Sequence, residues 1–267
     1  MPTGVRSSVA ERYSYKVDVL GSNPSGRTYM KGKTVLAVGA HPDDMDFGAS
    51  GTIARWVSEG ATCYYLICTD GSRGSSDPQM THKRLAEIRN EEQKKAAKVL
   101  GVKKVFFLNH TDTQLVADLV LKEEIVRVIR KLRPNTVITM DPTFYYTTEM
   151  IGFDSGFVNH TDHRAAALAT MDSCFPLARD RLTFPEHEKE GLKPHRVEEL
   201  FFVGFEKKDF IVDITKTFEK KIKALSLHKS QFDNFKEVEK RVTLRAKFWG
   251  KLKGYKFGEN YTRIKLP

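Results

Sequence analysis

The chain has 267 residues, of which 40% are hydrophobic and 29% are charged, and these proportions exclude a disordered or membrane-embedded protein. At this length we expect one large domain with a substantial core. The formal net charge is +10, but the basic residues are scattered among apolar ones. We therefore expect a solvated, lysine-rich surface and no nucleic-acid partner.

Residues 1–33 are polar and rich in Gly and Ser, and we interpret them as an N-terminal extension with one short strand near residues 13–19. A single domain over 34–267 follows, in which short β-branched runs alternate with amphipathic helical patterns. This alternation predicts an α/β domain with a mostly parallel sheet and helices on both faces. The predicted strands are Thr34–Gly39, Thr62–Cys68, Val105–Leu108 and Thr136–Met140.

The alternation pauses after Asp141, where residues 142–159 form a long loop with several aromatic side chains. A loop of this length inside a compact domain is usually functional. We expect its aromatic side chains, Tyr145 and Tyr146 among them, either to contact a ligand or simply to pack the loop. Beyond the loop, helices are predicted at His163–Met171, near Thr215–Lys229 and at Phe235–Lys251, and strands at Glu199–Val203 and Phe210–Ile214.

The cysteines show no disulfide framework. Cys63, Cys68 and Cys174 form no closely spaced pair, which argues against a disulfide-rich secreted protein. We expect the first two to be small core residues, because they lie in an apolar run. No apolar run approaches the roughly 20 residues of a membrane span, and the first residues lack a hydrophobic leader. We therefore expect a cytoplasmic protein without a membrane partner.

Polar clusters follow each predicted parallel strand. His41–Asp44 follows the first strand, Thr69–Arg73 the second, Asn109–Thr113 the third and Asp141 the fourth. Ligands bind beyond the carboxyl ends of such strands, so these clusters are expected to meet at one edge of the sheet. His160 and His163 lie just after the following loop and can reach the same edge.

Two of these fragments together contain the ligands of a catalytic zinc. Such a metal needs three protein ligands and one open position, and His41, Asp44 and His163 supply the three. Iron, cobalt and manganese also bind this type of site. The fragments therefore predict a metal-dependent hydrolase.

Neighbouring side chains suit the remaining steps of hydrolysis. Asp43 can take a proton from water and pass it to a leaving amine. His160 can donate a hydrogen bond to an oxyanion, and Asp162 can fix the tautomer of a histidine.

Simpler interpretations of the same residues remain open. His41–Asp44 also suits an ordinary turn or a helix cap, and Cys68 is a weak candidate nucleophile. We expect His82, His187 and His195 on the surface, because charged residues surround them. The tetrapeptide Asn-His-Thr-Asp occurs at 109–112 and again at 159–162. Since no wider similarity surrounds it, we treat the repeat as a coincidence.

The residues named so far resemble the LmbE-like (PIG-L) N-acetylglucosaminyl deacetylase family. Ala40–Asp44 matches its first signature, and His160–His163 matches its second. Further likeness runs to about residue 259 through three later matches. These are Asp213-Ile214-Thr215, Lys221 and His228-Lys229-Ser230-Gln231.

The resemblance implies a Rossmann-like fold and zinc-dependent removal of an N-acetyl group from an amino sugar. It implies the metal and catalytic roles given above and places Arg73 and Asp112 near substrate positions. It makes a sugar ring the ligand on which Tyr145 and Tyr146 would stack. It also implies a homo-oligomer, either a trimer or a hexamer. The family usually has a Glu after the two aspartates. Here Met45 stands at that position, so the role of the Glu is lost or moves to Asp46. Thr161 stands where the second signature often has a Pro.

These departures leave the substrate open. Family members act on disaccharides, glycolipid precursors, thiol-sugar conjugates and antibiotic precursors, and a relative of the diacetylchitobiose deacetylases is one candidate. An amidase acting on a larger amino-sugar conjugate is the second enzymatic interpretation. A basic binding module without catalysis is the interpretation from another class.

Overall fold

A computed structural model describes residues 30–152, 155–204 and 210–267. The strands are β1 (Thr34–Gly39), β2 (Thr62–Thr69), β3 (Lys104–His110), β4 (Thr136–Met140), β5 (Tyr146–Thr147), β6 (Phe157–Val158), β7 (Glu199–Val203), β8 (Phe210–Asp213) and β9 (Gly258–Lys265). The α-helices are α1 (Asp44–Gly48), α2 (Ser50–Ser58), α3 (His82–Leu100), α4 (Leu119–Leu132), α5 (Thr161–Asp172), α6 (Glu186–Lys189), α7 (Phe218–Leu225) and α8 (Phe235–Lys251). A π-helical turn lies at Ser173–Leu177 and a 3-10 turn at Lys229–Gln231.

Seven strands form one sheet in the order β3-β2-β1-β4-β7-β9-β8. The first five in this order run parallel, and β9 is antiparallel to both of its neighbours. The expected mostly parallel α/β sheet is therefore confirmed. Because β1, β2 and β4 run in the same direction, the polar segments that follow them emerge at one edge of the sheet.

Helices cover both faces of the sheet. Along β1, Val35 and Ala37 pack into one buried cluster with α2, α3 and α7, while Leu36 and Val38 pack into a second cluster with α4 and α5. Both faces of β1 are thus apolar, as is usual for a central parallel strand. Cys63 and Cys68 are buried within these clusters, as expected.

The sequence pattern did not predict β9. This strand begins Gly-Glu-Asn-Tyr, and Glu259 and Asn260 are buried in spite of their polarity. A buried polar run lacks both the alternation and the continuous apolar character that indicate strands. The predicted helix near Thr215–Lys229 is also shorter, because Thr215 donates its N–H to Asp213 Oδ1 in a turn before α7 begins.

His187 is buried, so the expectation of a surface position was wrong. Its Nε2 atom lies 2.5 Å from Glu123 Oε1 on α4, and its ring stacks on Phe184 at 5.5 Å. The neighbouring charged side chains Glu186 and Glu188 face solvent, which disguised the inward direction of the histidine.

The strand expected near residues 13–19 lies outside the described residues, and the domain boundary at residue 33 stays a prediction.

Among the described residues, no helix is both long enough and apolar enough to cross a bilayer.

A buried ion pair joins β9 to the helices beside the site. Glu259 accepts the N–H groups of Gly51 and Thr52 at 3.0 and 2.7 Å, at the start of α2. Lys221 Nζ lies 2.7 Å from Glu259 Oε1 and donates to the Asp46 carbonyl at the end of α1. The pair therefore fixes both α1 and α2 against β9.

We expect Lys221→Met to lower the free energy of unfolding by about 3–5 kcal/mol, because it leaves the Glu259 carboxylate buried without its cation. Urea denaturation followed by circular dichroism measures this change. Lys220→Met, at an exposed position of the same helix, is the control and should cost less than about 0.5 kcal/mol. Equal stability of the two variants would show that Lys221 is not needed to neutralise Glu259.

Candidate functional site

A tight turn follows β1 and closes on an aspartate. Asp44 Oδ2 accepts the N–H groups of Ala40 and His41 at 2.8 and 2.9 Å. Asp43 has a φ of 96°, a left-handed conformation that is strained for a residue with a side chain. Asp43 stands just before α1, but its side chain caps no helix N–H, so helix capping does not explain why an aspartate stands there.

The second histidine fragment meets this turn at the start of α5. His163 Nε2 lies 3.0 Å from Asp44 Oδ1. The other ring nitrogen, Nδ1, lies 3.0 Å from Asn159 Oδ1, and Asn159 donates its own amide to the Phe144 carbonyl at 2.8 Å. Asn159 thus holds the His163 ring from behind and directs Nε2 towards Asp44, although sequence reasoning did not single it out.

His41 is held by two carboxylates at one ring nitrogen. His41 Nε2 lies 3.1 Å from Asp112 Oδ1 and 3.3 Å from Asp162 Oδ2. Nδ1 faces Asp44 Oδ2 at 3.7 Å. Burial alone would lower the pKa of His41, but hydrogen bonds to Asp112, Asp162 and Asp44 raise it to about 12. The cluster is therefore rich in negative charge and favours a cation at this position.

The repeated tetrapeptide accounts for both of these carboxylates. Asp112 ends the first copy after β3, and Asp162 ends the second copy in the first turn of α5. We treated this repeat as a coincidence, yet each copy supplies one aspartate that contacts His41. The two copies have different backbone conformations. Each aspartate is further fixed by backbone N–H groups, Asp112 by Arg73 and Asp162 by Thr113 at 2.6 Å.

The donor atoms of His41, Asp44 and His163 suit a divalent metal. In each residue one polar atom is already bonded to the protein. Of the remaining atoms, His163 Nε2 lies 3.0 Å from Asp44 Oδ1, while His41 Nδ1 faces the other oxygen of Asp44, Oδ2, at 3.7 Å. Such supporting contacts are typical of metal ligands.

Two groups of potential ligand atoms among the described residues lie within 4.8 Å of one another, and the predicted set of His41, Asp44 and His163 is neither of them. The two groups are His41, His160, His163 and His41, Asp112, Asp162. The second group is the weaker candidate, because its carboxylates already contact His41 Nε2 directly and accept backbone N–H groups. In the first group, His160 Nδ1 already accepts the N–H of Asp162.

Asp43 is set apart from the donor atoms. Its Oδ1 atom lies 3.4 Å from Arg89 Nη2. Burial raises the pKa of Asp43, against the opposing effect of the Arg89 guanidinium. In Asp44 the balance is reversed, because His163 and His41 outweigh burial and hold its pKa well below the usual range. Two adjacent carboxyl groups thus have opposite tendencies to bind a proton.

His160 is arranged as a hydrogen-bond donor. Its Nδ1 atom accepts the N–H of Asp162 at 3.2 Å, where it caps α5. Burial lowers the pKa of His160, and the charges of His41 and His163 lower it further. A neutral ring with an acceptor at Nδ1 carries its proton on Nε2, which leaves an N–H available for a ligand.

A cavity of about 500 Å³ opens beside these residues. Arg73, Asp112 and the histidine cluster line its polar end, whereas Val203, Val242, Ala246 and Trp249 contribute an apolar wall. From the aromatic loop, Met150 and Phe157 line the cavity.

Tyr145 and Tyr146 are 61% and 69% exposed and are not among the residues that line this cavity. The Arg164 guanidinium lies over the Tyr145 ring at 5.3 Å. Stacking of either tyrosine on a sugar stays a prediction.

Cys68 is unsuited to nucleophilic attack. It is fully buried, and burial raises the pKa of its thiol, with Asp44 adding to the effect. The reactive thiolate is therefore disfavoured.

Comparison with known families decides the relationship. Residues 36–174 match the family described as PIG-L, GlcNAc-PI de-N-acetylase, and this match spans more than half of the chain and both histidine fragments. The chain belongs to the PIG-L family. Its relatives include a diacetylchitobiose deacetylase of Thermococcus kodakarensis, 34% identical over 85% of this chain and 81% of the relative.

Other members share the fold or part of the sequence with this PIG-L protein. The solved N,N'-diacetylchitobiose deacetylase of Pyrococcus horikoshii, bound to its inhibitor MPG, superposes with a TM-score of 0.78 at 29% identity, covering 87% of this chain and 84% of that one. A mycothiol S-conjugate amidase of Streptomyces coelicolor is 30% identical over 58% of this chain and 55% of the relative.

We expect Asn159→Ala to weaken zinc binding about 10–100-fold, because His163 then loses the contact that orients Nε2. Calorimetric titration of Zn²⁺ into metal-stripped protein measures the affinity. Asn109→Gly is the matched control: Asn109 opens the other copy of the tetrapeptide, is exposed, and has a φ of 60° that glycine tolerates. Unchanged affinity in a folded Asn159→Ala protein would contradict the orienting role.

Proposed function

We propose that this protein is a metal-dependent de-N-acetylase that removes the acetyl group from a small molecule containing N-acetylglucosamine, with zinc as the first candidate metal. One observation carries the proposal. Asp44 contacts both imidazoles, His163 Nε2 at 3.0 Å and His41 Nδ1 at 3.7 Å, and these residues line one cavity together with a second carboxylate, Asp43, which lies against Arg89. Membership of the PIG-L family supports the acetylated amino sugar as the substrate class.

His41, Asp44 and His163 would hold the metal. When bound, a divalent ion there would polarise the amide carbonyl and increase the acidity of a water molecule. The donor set of two imidazoles and one carboxylate is one of the sets that hydrolytic zinc uses. The diacetylchitobiose deacetylase relatives support the N-acetylglucosamine dimer as the first compound to test.

Asp43 and His160 carry the proton and charge steps. Asp43 takes a proton from the attacking water while the water oxygen bonds to the amide carbon. His160 donates its Nε2–H to the carbonyl oxygen as negative charge develops there. Asp43 then returns the proton to the nitrogen as the carbon–nitrogen bond breaks, which releases acetate and the free amine. The raised pKa of Asp43 suits a group that both accepts and donates a proton.

The departures from the family signatures leave these roles in place. Met45 is fully buried among apolar residues, and Asp46 is fully buried away from the cavity wall. Thr161 is exposed at the start of α5. None of the three replaces a donor atom or a proton carrier.

We expect Asp43→Asn to retain its metal but to lose turnover about 10²–10⁴-fold, because the amide cannot accept the proton. His163→Ala should lose both metal and turnover. Amine release from the N-acetylglucosamine dimer and elemental analysis of the purified proteins test this. Asp77→Asn, at an exposed position, is the control. Full activity of Asp43→Asn would exclude Asp43 as the base.

The cavity also favours a second candidate, an amidase that cleaves a larger acyl group from an amino-sugar conjugate. An acetyl group alone does not require a volume of about 500 Å³ or the apolar wall from β7 and α8. The similarity to the relative named mycothiol S-conjugate amidase, from Streptomyces coelicolor, supports this candidate.

We expect Ala246→Phe to separate these candidates, because the added ring fills the apolar part of the cavity. If the substrate extends there, kcat/KM for N-butanoylglucosamine should fall about tenfold more than for N-acetylglucosamine. Lys247→Phe, at an exposed neighbouring position, is the control. Equal effects on both compounds would mean that the acyl chain does not enter this region.

The basic binding module is the weakest interpretation, because the chain belongs to a family of de-N-acetylases and has the groups that hydrolysis needs. A trimer or hexamer stays a prediction from the resemblance, and a cytoplasmic location stays a prediction from the sequence.

A further inference from the structure

A fully buried glutamine on α3 lies directly behind Asp43. Gln93 Oε1 accepts the backbone N–H of Asp43 at 2.8 Å, and Gln93 Nε2 donates to Asp46 Oδ2 at 2.9 Å. The side chain has no exposed surface. Burying an amide is costly unless its polar atoms are bonded, and here the oxygen and the nitrogen of the amide each have a partner.

The partners of Asp46 fix which way the Gln93 amide points. Asp46 Oδ1 accepts the hydroxyl of Tyr65 at 2.9 Å, and Oδ2 lies 2.7 Å from His228 Nε2. A carboxylate oxygen only accepts hydrogen bonds, so the NH₂ group of Gln93, which is the donor end of its amide, must face Asp46. The amide oxygen then necessarily faces Asp43. Reversal of the amide would place oxygen against oxygen at one end and N–H against N–H at the other.

The backbone of Asp43 needs such support because its conformation is strained. With a φ of 96°, the Asp43 backbone is held on both sides. Its carbonyl accepts the N–H groups of Asp46 and Phe47 at 2.9 and 3.0 Å. On the other side, Arg89 Nη2 donates to the Pro42 carbonyl at 2.7 Å, and Gln93 receives the Asp43 N–H.

We infer that Gln93 is a positioning residue that sets the direction of the Asp43 carboxylate through the Asp43 peptide group; this inference rests on the proposed role of Asp43 as the base. Gln93 is not among the residues that line the cavity, and its hydrogen bond to Asp43 is made to the backbone N–H. The hydrogen bonds of its side chain among the described residues go to Asp43 and Asp46 and not to His41, Asp44 or His163, so it acts on the reaction through the orientation of Asp43.

A double-mutant cycle tests this inference. In Gln93→Met the side chain keeps its length but loses both hydrogen bonds. We expect kcat to fall about 10–100-fold, since small misplacements of a catalytic group have effects of this size, while KM and zinc content stay within about twofold. In an Asp43→Asn background the same substitution should change kcat by less than about twofold, because no base remains to be misplaced.

Lys95→Met, at an exposed position of α3, is the matched control and should leave kcat unchanged. If Gln93→Met does not fold, Gln93→Asn, which withdraws the amide by one methylene, takes its place in the cycle. Equal losses in both backgrounds, or no loss from either Gln93 variant, would overturn the positioning role. Full activity of Asp43→Asn alone would overturn the base assignment itself and is read separately from the Gln93 result.

Discussion

The site depends on one carboxylate that serves two parts of the fold. Asp44 Oδ2 closes the turn after β1, and Asp44 Oδ1 meets His163 on α5. The end of the first strand and the start of a distant helix are therefore joined through a single side chain. Four carboxylates lie in this region, those of Asp43, Asp44, Asp112 and Asp162, and among the described residues they contact His41, His163 and Arg89. Such crowding of negative charge is costly without a cation, which is why the arrangement suits a divalent metal.

The later part of the chain supports the same turn from behind. His228 contacts Asp46, and Lys221 donates to the Asp46 carbonyl. Ser230 donates through both its N–H and its hydroxyl to Glu92 on α3. Lys221 and His228 are buried and support α1, which follows Asp43, while Ser230 holds its 3-10 turn against α3, which contains Gln93.

Much of the sheet was predictable, because β1, β2, β4 and β7 are short β-branched or apolar runs. The strand β9 was not, because Glu259 is buried where it accepts the first N–H groups of α2 and pairs with Lys221, and this polar burial leaves no apolar pattern in the sequence. The convergence of both histidine fragments at one edge followed from strand direction alone. The pairing of Asp112 and Asp162 on His41 required the three-dimensional register of two loops, which sequence spacing does not contain.

The loop after β4 shows that the sequence also does not determine the direction of single side chains. Its aromatic residues are equivalent in the sequence, yet Phe157 lines the cavity while Tyr145 and Tyr146 face outward. Length and composition predicted a functional loop, but Tyr146 and Phe157 belong to the short pairing of β5 with β6, which the sequence pattern did not predict. Asn159 was overlooked for a related reason, since an amide that orients a histidine carries no motif of its own.

The position of β9 links loss of activity to self-association. If residues 258–265 detach by a local opening of the sheet, β7 and β8 each lose a neighbour and present unpaired backbone groups. The same opening withdraws Glu259 from α2 and from Lys221, so the lining of the cavity loses its support at this position. A molecule that is inactivated in this way also exposes the edges of β7 and β8, which can pair with strands of other chains. Heat-induced precipitation and heat inactivation would then begin with the same local opening of the sheet.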